Sequence, residues 1–232
     1  MKRTDIFIIT GVLLLFTPFF ISETVYSTYE NFNQAHGLIA AFVKFALLAT
    51  FGESLALRLK EGVYNKADFG LLPRAVVWGF LGITIKIAFV IFAKGTPAFL
   101  EYMGLENPSE IMSGDFSGQK LLIAFSISTA MNLIYAPVMM TLHKITDIHI
   151  VSHKGKISAI IRKINFSKIL QALDWNTHWH FVLKKTIPFF WIPMHTVTFL
   201  MPSEFRVLFA AILGIALGLI LAFAGLKKTS EE

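Results

Sequence analysis

The sequence predicts an all-α integral membrane protein, a bundle of about six transmembrane helices with an amphipathic helix on the cytoplasmic side. The first observation is composition: 55% of the 232 residues are hydrophobic and 16% are charged. Soluble domains average about 45–50% and about 25%. Apolar residues this abundant cannot all be buried in one soluble core of this size. The second observation is that they fall in runs close to the ~20 residues that cross a bilayer as a helix.

The apolar runs predict a single membrane domain over residues 1–232 with six spans. These are 6–22, 37–57, 75–94, 120–142, 186–201 and 205–226. The fifth is short unless its helix begins earlier, around Trp179. The first is either an uncleaved span or a signal peptide, since Lys2 and Arg3 precede it. Its length and the lack of a small-x-small cleavage site favour an uncleaved span.

The basic residues are distributed unevenly between the spans. The loops 23–36 and 95–119 contain no lysine or arginine, and the second carries Glu101, Glu106, Glu110 and Asp115. The other segments hold Lys2, Arg3, Arg58, Lys60, Lys66, Arg74, Lys144, Lys154, Lys156, Arg162, Lys163, Lys168, Lys184, Lys185, Lys227 and Lys228. The positive-inside rule then predicts that both termini are cytoplasmic. This topology accounts for the net charge of +6 without a nucleic-acid partner.

The long inner segment 143–185 is predicted to lie at the membrane surface. Apolar residues follow near-helical spacing in KISAIIRKINFSKILQAL, with basic residues elsewhere on the wheel. This pattern is typical of an amphipathic helix on the inner membrane surface. A partner-binding element is the alternative. Asp174 is expected to cap a helix that begins at Trp175.

The sequence offers no recognisable catalytic or metal-binding set. There is no cysteine, no phosphate-binding glycine loop and no nucleophile elbow. His149 and His153 are four residues apart and follow His143, but we expect no acidic or thiolate ligand to complete a metal site around them. His178 and His180 are two apart and do not share a helix face. We therefore predict no enzyme, no metal and no cofactor.

Ionisable residues inside the spans are expensive, and they usually face protein or water. Lys86 lies mid-span on the same side as Gly79 and Gly82, a face that small residues mark for close helix packing. Lys44 lies too deep in the second span for relaxed snorkelling to the surface. Glu53 lies nine residues further, about 180° round the helix from Lys44, so these two cannot pair.

Two rows of small residues at intervals of four predict interhelical contacts. Ala124, Ser128, Asn132 and Ala136 form a polar seam on the fourth span, and Ala210, Gly214, Gly218 and Ala222 form an apolar row on the sixth that predicts helix packing alone. Lys86, Asn132 and His195 are expected near mid-depth. Either a hydrated cavity accounts for them, or they fix packing with a Glu53–Lys86 ion pair.

The stretch PFFWIPMHTVTFLMPSEFR predicts a bent fifth span. Pro188 and Pro193 remove backbone donors and free carbonyls, which a membrane tolerates only where other groups satisfy them. Trp191, His195 and Thr198 share one face, while Pro202 and Arg206 are expected to anchor the outer end.

The same stretch resembles the C-terminal signature of the Mpv/PMP family of peroxisomal and mitochondrial inner-membrane proteins. Trp191 and Pro193 stand for the family's tryptophan–proline, Phe199 for its aromatic residue, and Pro202 and Arg206 keep an interval of four. Upstream, FGESLALRL with Glu53 and DFGLLPR with Gly82 are similar to further family elements. An extra N-terminal span and missing glycine–proline and histidine–tryptophan–tyrosine elements are departures. The resemblance implies that the chain is a distant, bacterial relative of this family. It also implies channel-like permeability, for which the family's substrate is unsettled.

The leading functional prediction is a small channel or solute pathway in the bacterial cytoplasmic membrane, with a mitochondrial inner or peroxisomal membrane as the alternative location. Its lining or gating candidates are Lys44, Glu53, Lys86, Asn132, Trp191, His195 and Thr198. Lys86 would favour anionic solutes. The other hypothesis is a non-conducting structural or assembly protein. The predicted partners are the lipid bilayer and a small-molecule or ion solute, with a homo-oligomer left open.

Overall fold

The computed structural model of the chain is all-α and describes residues 2–229. The side chains of 221 and 223–229, which include Lys227 and Lys228, lie outside the described residues. The chain divides into two compact units, Met1–Ala40 and Ala41–Glu232. All of the cavity and cluster geometry below belongs to the second unit.

The described residues form eleven α-helices, a 3-10 helix and a π-helix. The α-helices are α1 (Arg3–Ile21), α2 (Glu23–Ala35), α3 (Gly37–Glu61), α4 (Leu71–Tyr102), α5 (Pro108–Ser113), α6 (Gly118–Ile134), α7 (Ala136–Ser152), α8 (Phe166–Ala172), α9 (Trp175–Thr177), α10 (Ile192–Leu200) and α11 (Ser203–Thr229). The 3-10 helix covers Ile157–Ile161, and the π-helix covers His178–Trp191.

Within residues 2–229, four helices are long and apolar enough to cross a membrane: Arg3–Ile21, Gly37–Glu61, Leu71–Tyr102 and Ser203–Ile220. A fifth candidate exists if the bent pair α6–α7 counts as one span. The all-α class is thus confirmed, and the predicted spans 6–22, 37–57, 75–94 and 205–226 are confirmed as candidates by length and composition. The predicted span 186–201 is no single long helix, because its residues are divided between the π-helix and α10.

In the first unit, α1 presents an apolar surface. Its large side chains are mostly exposed, with Phe7 at 77% and Phe20 at 86%. Within this unit α1 contacts α2, and the rings of Phe19 and Tyr29 meet edge to face at 5.3 Å. Ser22 separates the two helices and accepts a hydrogen bond from the Val25 backbone N–H at 3.4 Å. Exposed apolar side chains on a helix of this length are typical of a lipid-facing span.

Helices α3 and α4 pack closely where the sequence predicts it. A Cβ added at Gly82 would lie 2.6 Å from Phe45 Cβ and 2.7 Å from the Ala41 carbonyl oxygen. At Gly79 it would lie 2.4 Å from the Phe42 ring. The two glycines therefore admit the facing backbone and rings of α3, which confirms that this face of α4 looks inward.

This contact gives a direct stability prediction. Gly82→Ala should destabilise the protein by about 1–3 kcal/mol, because the Ala41 backbone must move to admit the methyl group. Gly95→Ala is the matched control on the same helix, since a Cβ there meets open space. It should stabilise by up to about 1 kcal/mol through helix propensity. Thermal unfolding of both variants in detergent checks the pair; equal shifts would contradict the close packing.

The fourth predicted span is bent. Helices α6 and α7 meet at Tyr135 with an angle of 43°. Pro137 lies in the first turn of α7 and has no N–H to continue the hydrogen bonds of α6. The polar seam nevertheless stays buried, with Ala124, Ser128 and Asn132 at 0% exposure before the break and Ala136 at 4% after it. Burial therefore confirms the predicted inward face, and the predicted span 120–142 corresponds to the bent pair α6–α7.

The inner segment does not form one amphipathic helix. A 3-10 turn and α8 are separated by irregular backbone, and Asn165 caps α8 by accepting from the Lys168 N–H at 3.1 Å. An Asn side chain that bonds the backbone in this way competes with a continuous helix. Ile161 is 86% exposed and Ile169 is buried. The predicted Asp174 cap is confirmed: its Oδ1 accepts from the Thr177 N–H at 3.0 Å.

The stretch with Pro188 and Pro193 continues a helical run that starts at Trp175, earlier than the predicted 186. Pro188 lies in the π-helix, and Pro193 lies in the first turn of α10. The register change at Ile192 places its carbonyl against two hydroxyls, Ser128 Oγ at 2.7 Å and Thr196 Oγ1 at 2.8 Å. The Ser128 bond ties α10 to α6 at the register change. The carbonyls that Pro188 and Pro193 free lie four or five residues before each proline, so Ile192 is not one of them and the predicted compensation stays a prediction.

Arg206 closes the C-terminal end of α10. Its guanidinium donates to the carbonyls of Met201 at 3.0 Å and Phe199 at 3.1 Å, and it lies over the Phe199 ring. Pro202 stops α10 and leaves these last-turn carbonyls without helical partners. The Pro202–Arg206 spacing is thus explained as a C-terminal cap supplied by the next helix.

Candidate functional site

A cavity of about 320 Å³ lies in the second unit, between α3, α4, α6, α7, the π-helix, α10 and α11. Most of its lining is apolar and includes Phe45, Ile85, Phe89, Met131 and Met139. The polar lining residues are Glu53, Asn132, Tyr135, His143, Lys144, His178, Thr186 and His195. An apolar cavity with a few converging polar groups is the usual form of a small-molecule site.

Two rows of small residues line part of the cavity. Ala49, Gly52 and Ala56 come from α3, and Ala210, Gly214 and Gly218 come from α11. A Cβ at Gly52 would touch Ile215 at 3.1 Å, whereas a Cβ at Gly214 would meet no atom within 4 Å. The row on α11 was predicted to serve packing alone. That prediction is wrong at Gly214, where the missing side chain leaves space.

Four of the seven predicted lining residues do line this cavity: Glu53, Asn132, Trp191 and His195. Lys44, Lys86 and Thr198 lie outside its lining. Lys44 is buried with Lys86 as a charged neighbour, and the Thr198 hydroxyl donates to the Met194 carbonyl at 2.9 Å. The cavity therefore does not reach the lysine on which the predicted anion preference depended.

Asn132 and His195, which were both predicted at mid-depth, are buried and lie next to each other. Asn132 Nδ2 donates to the Ser128 carbonyl at 2.8 Å and lies 3.1 Å from His195 Nδ1. The His195 ring packs edge to face on Phe89 at 5.6 Å and against Trp191 at 5.1 Å. Trp191 Nε1 is buried and has no hydrogen-bond partner among the described residues. The seam on α6 thus positions a histidine beside the cavity.

A second polar cluster joins α3, α4 and α7. Glu53 Oε1 accepts from Trp78 Nε1 at 2.9 Å and lies 3.0 Å from His143 Nε2, while Glu53 Oε2 accepts from Arg74 at 2.5 Å. The same Arg74 nitrogen bonds Asp147. Arg74 Nε also donates to the Phe69 carbonyl at 2.6 Å. One guanidinium therefore holds two carboxylates from different helices.

Glu53 pairs with Arg74, and not with Lys86 as the packing alternative proposed. Sequence reasoning missed Arg74 because α4 was predicted to begin at 75, whereas it begins at Leu71 and carries Arg74 in its first turn. Asp147 follows His143 by four residues, one helical turn, and that spacing was the available signal. The expectation that no carboxylate would join the His143 region is wrong.

The cluster also has possible ligand atoms for a cation. One such atom from each of Glu53, His143 and Asp147 lies within 4.8 Å of the other two. Arg74 already places its positive charge between the two carboxylates. A metal ion there would have to displace the guanidinium and overcome its repulsion. The geometry therefore favours an internal ion network over a metal centre.

Two further histidines join neighbouring elements. His149 Nε2 lies 3.0 Å from the Ala159 carbonyl, which ties α7 to the 3-10 helix. His178 is buried, lines the cavity and lies 3.0 Å from Thr141 Oγ1. Its ring also meets the Trp175 ring edge to face at 5.8 Å. The contacts of His178 therefore fix the start of the π-helix against α7.

Comparisons with known proteins add no family to this geometry. No protein-family model, curated protein or solved structure matches the chain. The resemblance to the Mpv/PMP family thus stays a prediction that depends on the motifs quoted above.

Proposed function

We propose that the protein is a multi-spanning membrane protein that carries a small solute through its central cavity. The observation that carries the proposal is the cavity itself. Four residues predicted from sequence to line a pathway, Glu53, Asn132, Trp191 and His195, lie on its wall. Polar groups are costly inside a membrane bundle, and their usual uses are solute pathways and helix packing.

The proposed topology has six crossings with both termini in the cytoplasm. The run from Trp175 to Leu200 supplies the fifth crossing, and the distribution of lysine and arginine sets the orientation. In this orientation the Arg74 cluster lies near the cytoplasmic end of the cavity. The proposed location is a bacterial cytoplasmic membrane, and the proposed relationship is a distant one to the Mpv/PMP family.

We place the proposed preference for anionic solutes on Lys144 instead of Lys86. Lys144 lines the cavity and is exposed at its surface. Glu53 is the carboxylate among the described lining residues, and Arg74 neutralises it through a direct ion pair. The charge that the lining offers to a solute is thus positive, and a fixed cation lowers the cost of bringing in an anion.

Flux through proteoliposomes of the purified full chain tests the proposal. Small organic anions should cross faster than matched cations, and protein-free liposomes should show neither flux. Lys144→Met should reduce the anion preference, and Lys86→Met is the matched control that should retain it. If Lys86→Met reduces the anion preference and Lys144→Met does not, the preference depends on Lys86. Flux no higher than that of protein-free liposomes would refute the pathway.

A non-conducting scaffold is the second candidate function. The observation that favours it is the Arg74 cluster, which ties three helices together through ion pairs of one guanidinium with Glu53 and Asp147. A protein of this kind would have a well-packed bundle and no flux. Absence of flux together with co-purification of a second membrane protein would support this alternative.

A further inference from the structure

His195 is a buried polar side chain whose hydrogen bonding is only half satisfied by the described residues. It is 8% exposed and lines the cavity. One ring nitrogen, Nδ1, is next to the Asn132 amide. For the other, Nε2, the described part of the chain provides no partner. A buried donor left unpaired costs free energy, so a cavity ligand or water must meet it.

The protonation of the ring follows from its neighbour. The Ser128 carbonyl can only accept, so the group 2.8 Å from it must be the NH2 of Asn132. The same NH2 lies 3.1 Å from His195 Nδ1 and 3.3 Å from Ser128 Oγ, and the Asn132 oxygen lies 3.3 Å from Nδ1. We assign the second hydrogen to the nearer contact, in which Nδ1 accepts. A neutral imidazole that accepts at Nδ1 carries its proton on Nε2, which makes Nε2 a donor.

The surroundings of this donor determine the kind of ligand. Phe89 and Trp191 pack on the ring, and Met131 and Ile85 continue the wall. Aromatic, methionine and aliphatic surfaces accept an apolar body of varied shape. The buried Trp191 N–H beside the ring is a second donor without a described partner. Trp191 Nε1 has almost no accessible surface, so His195 Nε2–H is the donor that calls for an acceptor oxygen within an otherwise apolar molecule.

We propose that the cavity binds a largely apolar molecule through a carbonyl or carboxyl oxygen that accepts from His195 Nε2–H. This names the chemical class of the solute and rests on the proposed function only where the ligand is also transported. The shared chemistry is the acceptor oxygen. It can come from a neutral ketone or from an organic acid, and the test below separates the two sources.

The test measures equilibrium binding to the full chain in lipid nanodiscs with three probes of equal length: 2-decanone, decanoate and decane. Tryptophan fluorescence reports affinity, and the 15N chemical shift of His195 Nε2 reports the hydrogen bond. At least one oxygen-bearing probe should bind roughly tenfold more tightly than decane, the contribution of one buried hydrogen bond. That probe should also shift the Nε2 resonance.

Three variants make the assignment specific. His195→Met keeps an apolar side chain and should abolish the preference over decane, whereas His195→Gln restores an N–H donor and should keep most of it. His180→Met is the control, because His180 is exposed and lies outside the lining. Tighter binding of decanoate identifies an acid, and tighter binding of 2-decanone identifies a neutral carbonyl compound.

Equal affinities for all three probes in the wild-type protein, with an unmoved Nε2 resonance, would overturn the inference even if the variants do not fold. Binding with the expected preference but no proteoliposome flux would leave the site in place and refute the transport function. Flux without any binding preference for an oxygen-bearing probe would refute the proposed site and leave the transport function in place.

Discussion

Arg74→Met should destabilise the protein by about 3 kcal/mol, because it leaves the Glu53 and Asp147 carboxylates facing each other without their shared cation. The Arg74 side chain is 9% exposed, and the two carboxylates are 21% and 23% exposed. Solvent therefore screens the loss only in part. Chemical or thermal unfolding of the variant in detergent measures the change in free energy.

The control for this loss is a second ion pair in the same part of the chain. Lys66 bonds Glu61 at 2.6 Å, but both side chains are 47% exposed. Lys66→Met should therefore change stability by less than about 1 kcal/mol. Removing the stranded charges with Glu53→Gln and Asp147→Asn should recover much of the loss in the Arg74→Met background. Similar effects of Arg74→Met and Lys66→Met would show that the cluster does not hold the helices together.

The partners of Glu53 in this cluster could not be predicted from the sequence. Glu53 was recognised from the cost of a carboxylate inside a span, a local property. Its partners are 21 residues away at Arg74 and 90 residues away at His143. A single sequence has no periodicity that specifies such a pairing, so Lys86, the mid-span cation of the following span, was the partner considered. The depth of a residue along its helix could be predicted. The rotation of that helix about its axis, which determines the residue that it faces on a neighbouring helix, could not.

Contacts that depend on one helix face were predictable. The row Ala124, Ser128, Asn132 needs only the four-residue spacing, and burial of all three confirms it. The close approach of Gly82 to the Ala41 backbone was predictable for the same reason, because small residues mark one face of α4. The bend at Pro137 had a signal as well, since proline ends hydrogen bonding with the preceding turn, but the apolar run through it masked the break.

The π-register of His178–Trp191 had no comparable signal. A wider register depends on which carbonyls the neighbouring helices can satisfy, and that is a tertiary property. The Ser128 hydroxyl on α6 meets the Ile192 carbonyl only after the two helices have packed. Packing of α6 against α10 therefore determines which hydroxyl the Ile192 carbonyl meets.

Gly214→Leu should raise stability and lower transport. These opposite changes distinguish a solute pathway from a packing defect. A Cβ there meets open space, and Gly214 lines the cavity, so the side chain introduced by Gly214→Leu should occupy cavity volume. Replacing a helical glycine should also stabilise α11 by up to about 1 kcal/mol. Unfolding and proteoliposome flux are measured on the same preparation. The expected result is a more stable protein with flux close to that of protein-free liposomes.

The matched control is Gly95→Leu, which makes the same substitution in a helix at an exposed position outside the lining. It should gain similar helix stability and keep wild-type flux. Because both variants add the same side chain to a helical glycine, a difference in flux can only come from the cavity volume that the new side chain fills on α11. If Gly214→Leu conducts as well as Gly95→Leu, the solute does not pass between α3 and α11. The small residues there would then serve helix approach alone, as the spacing on α11 first suggested.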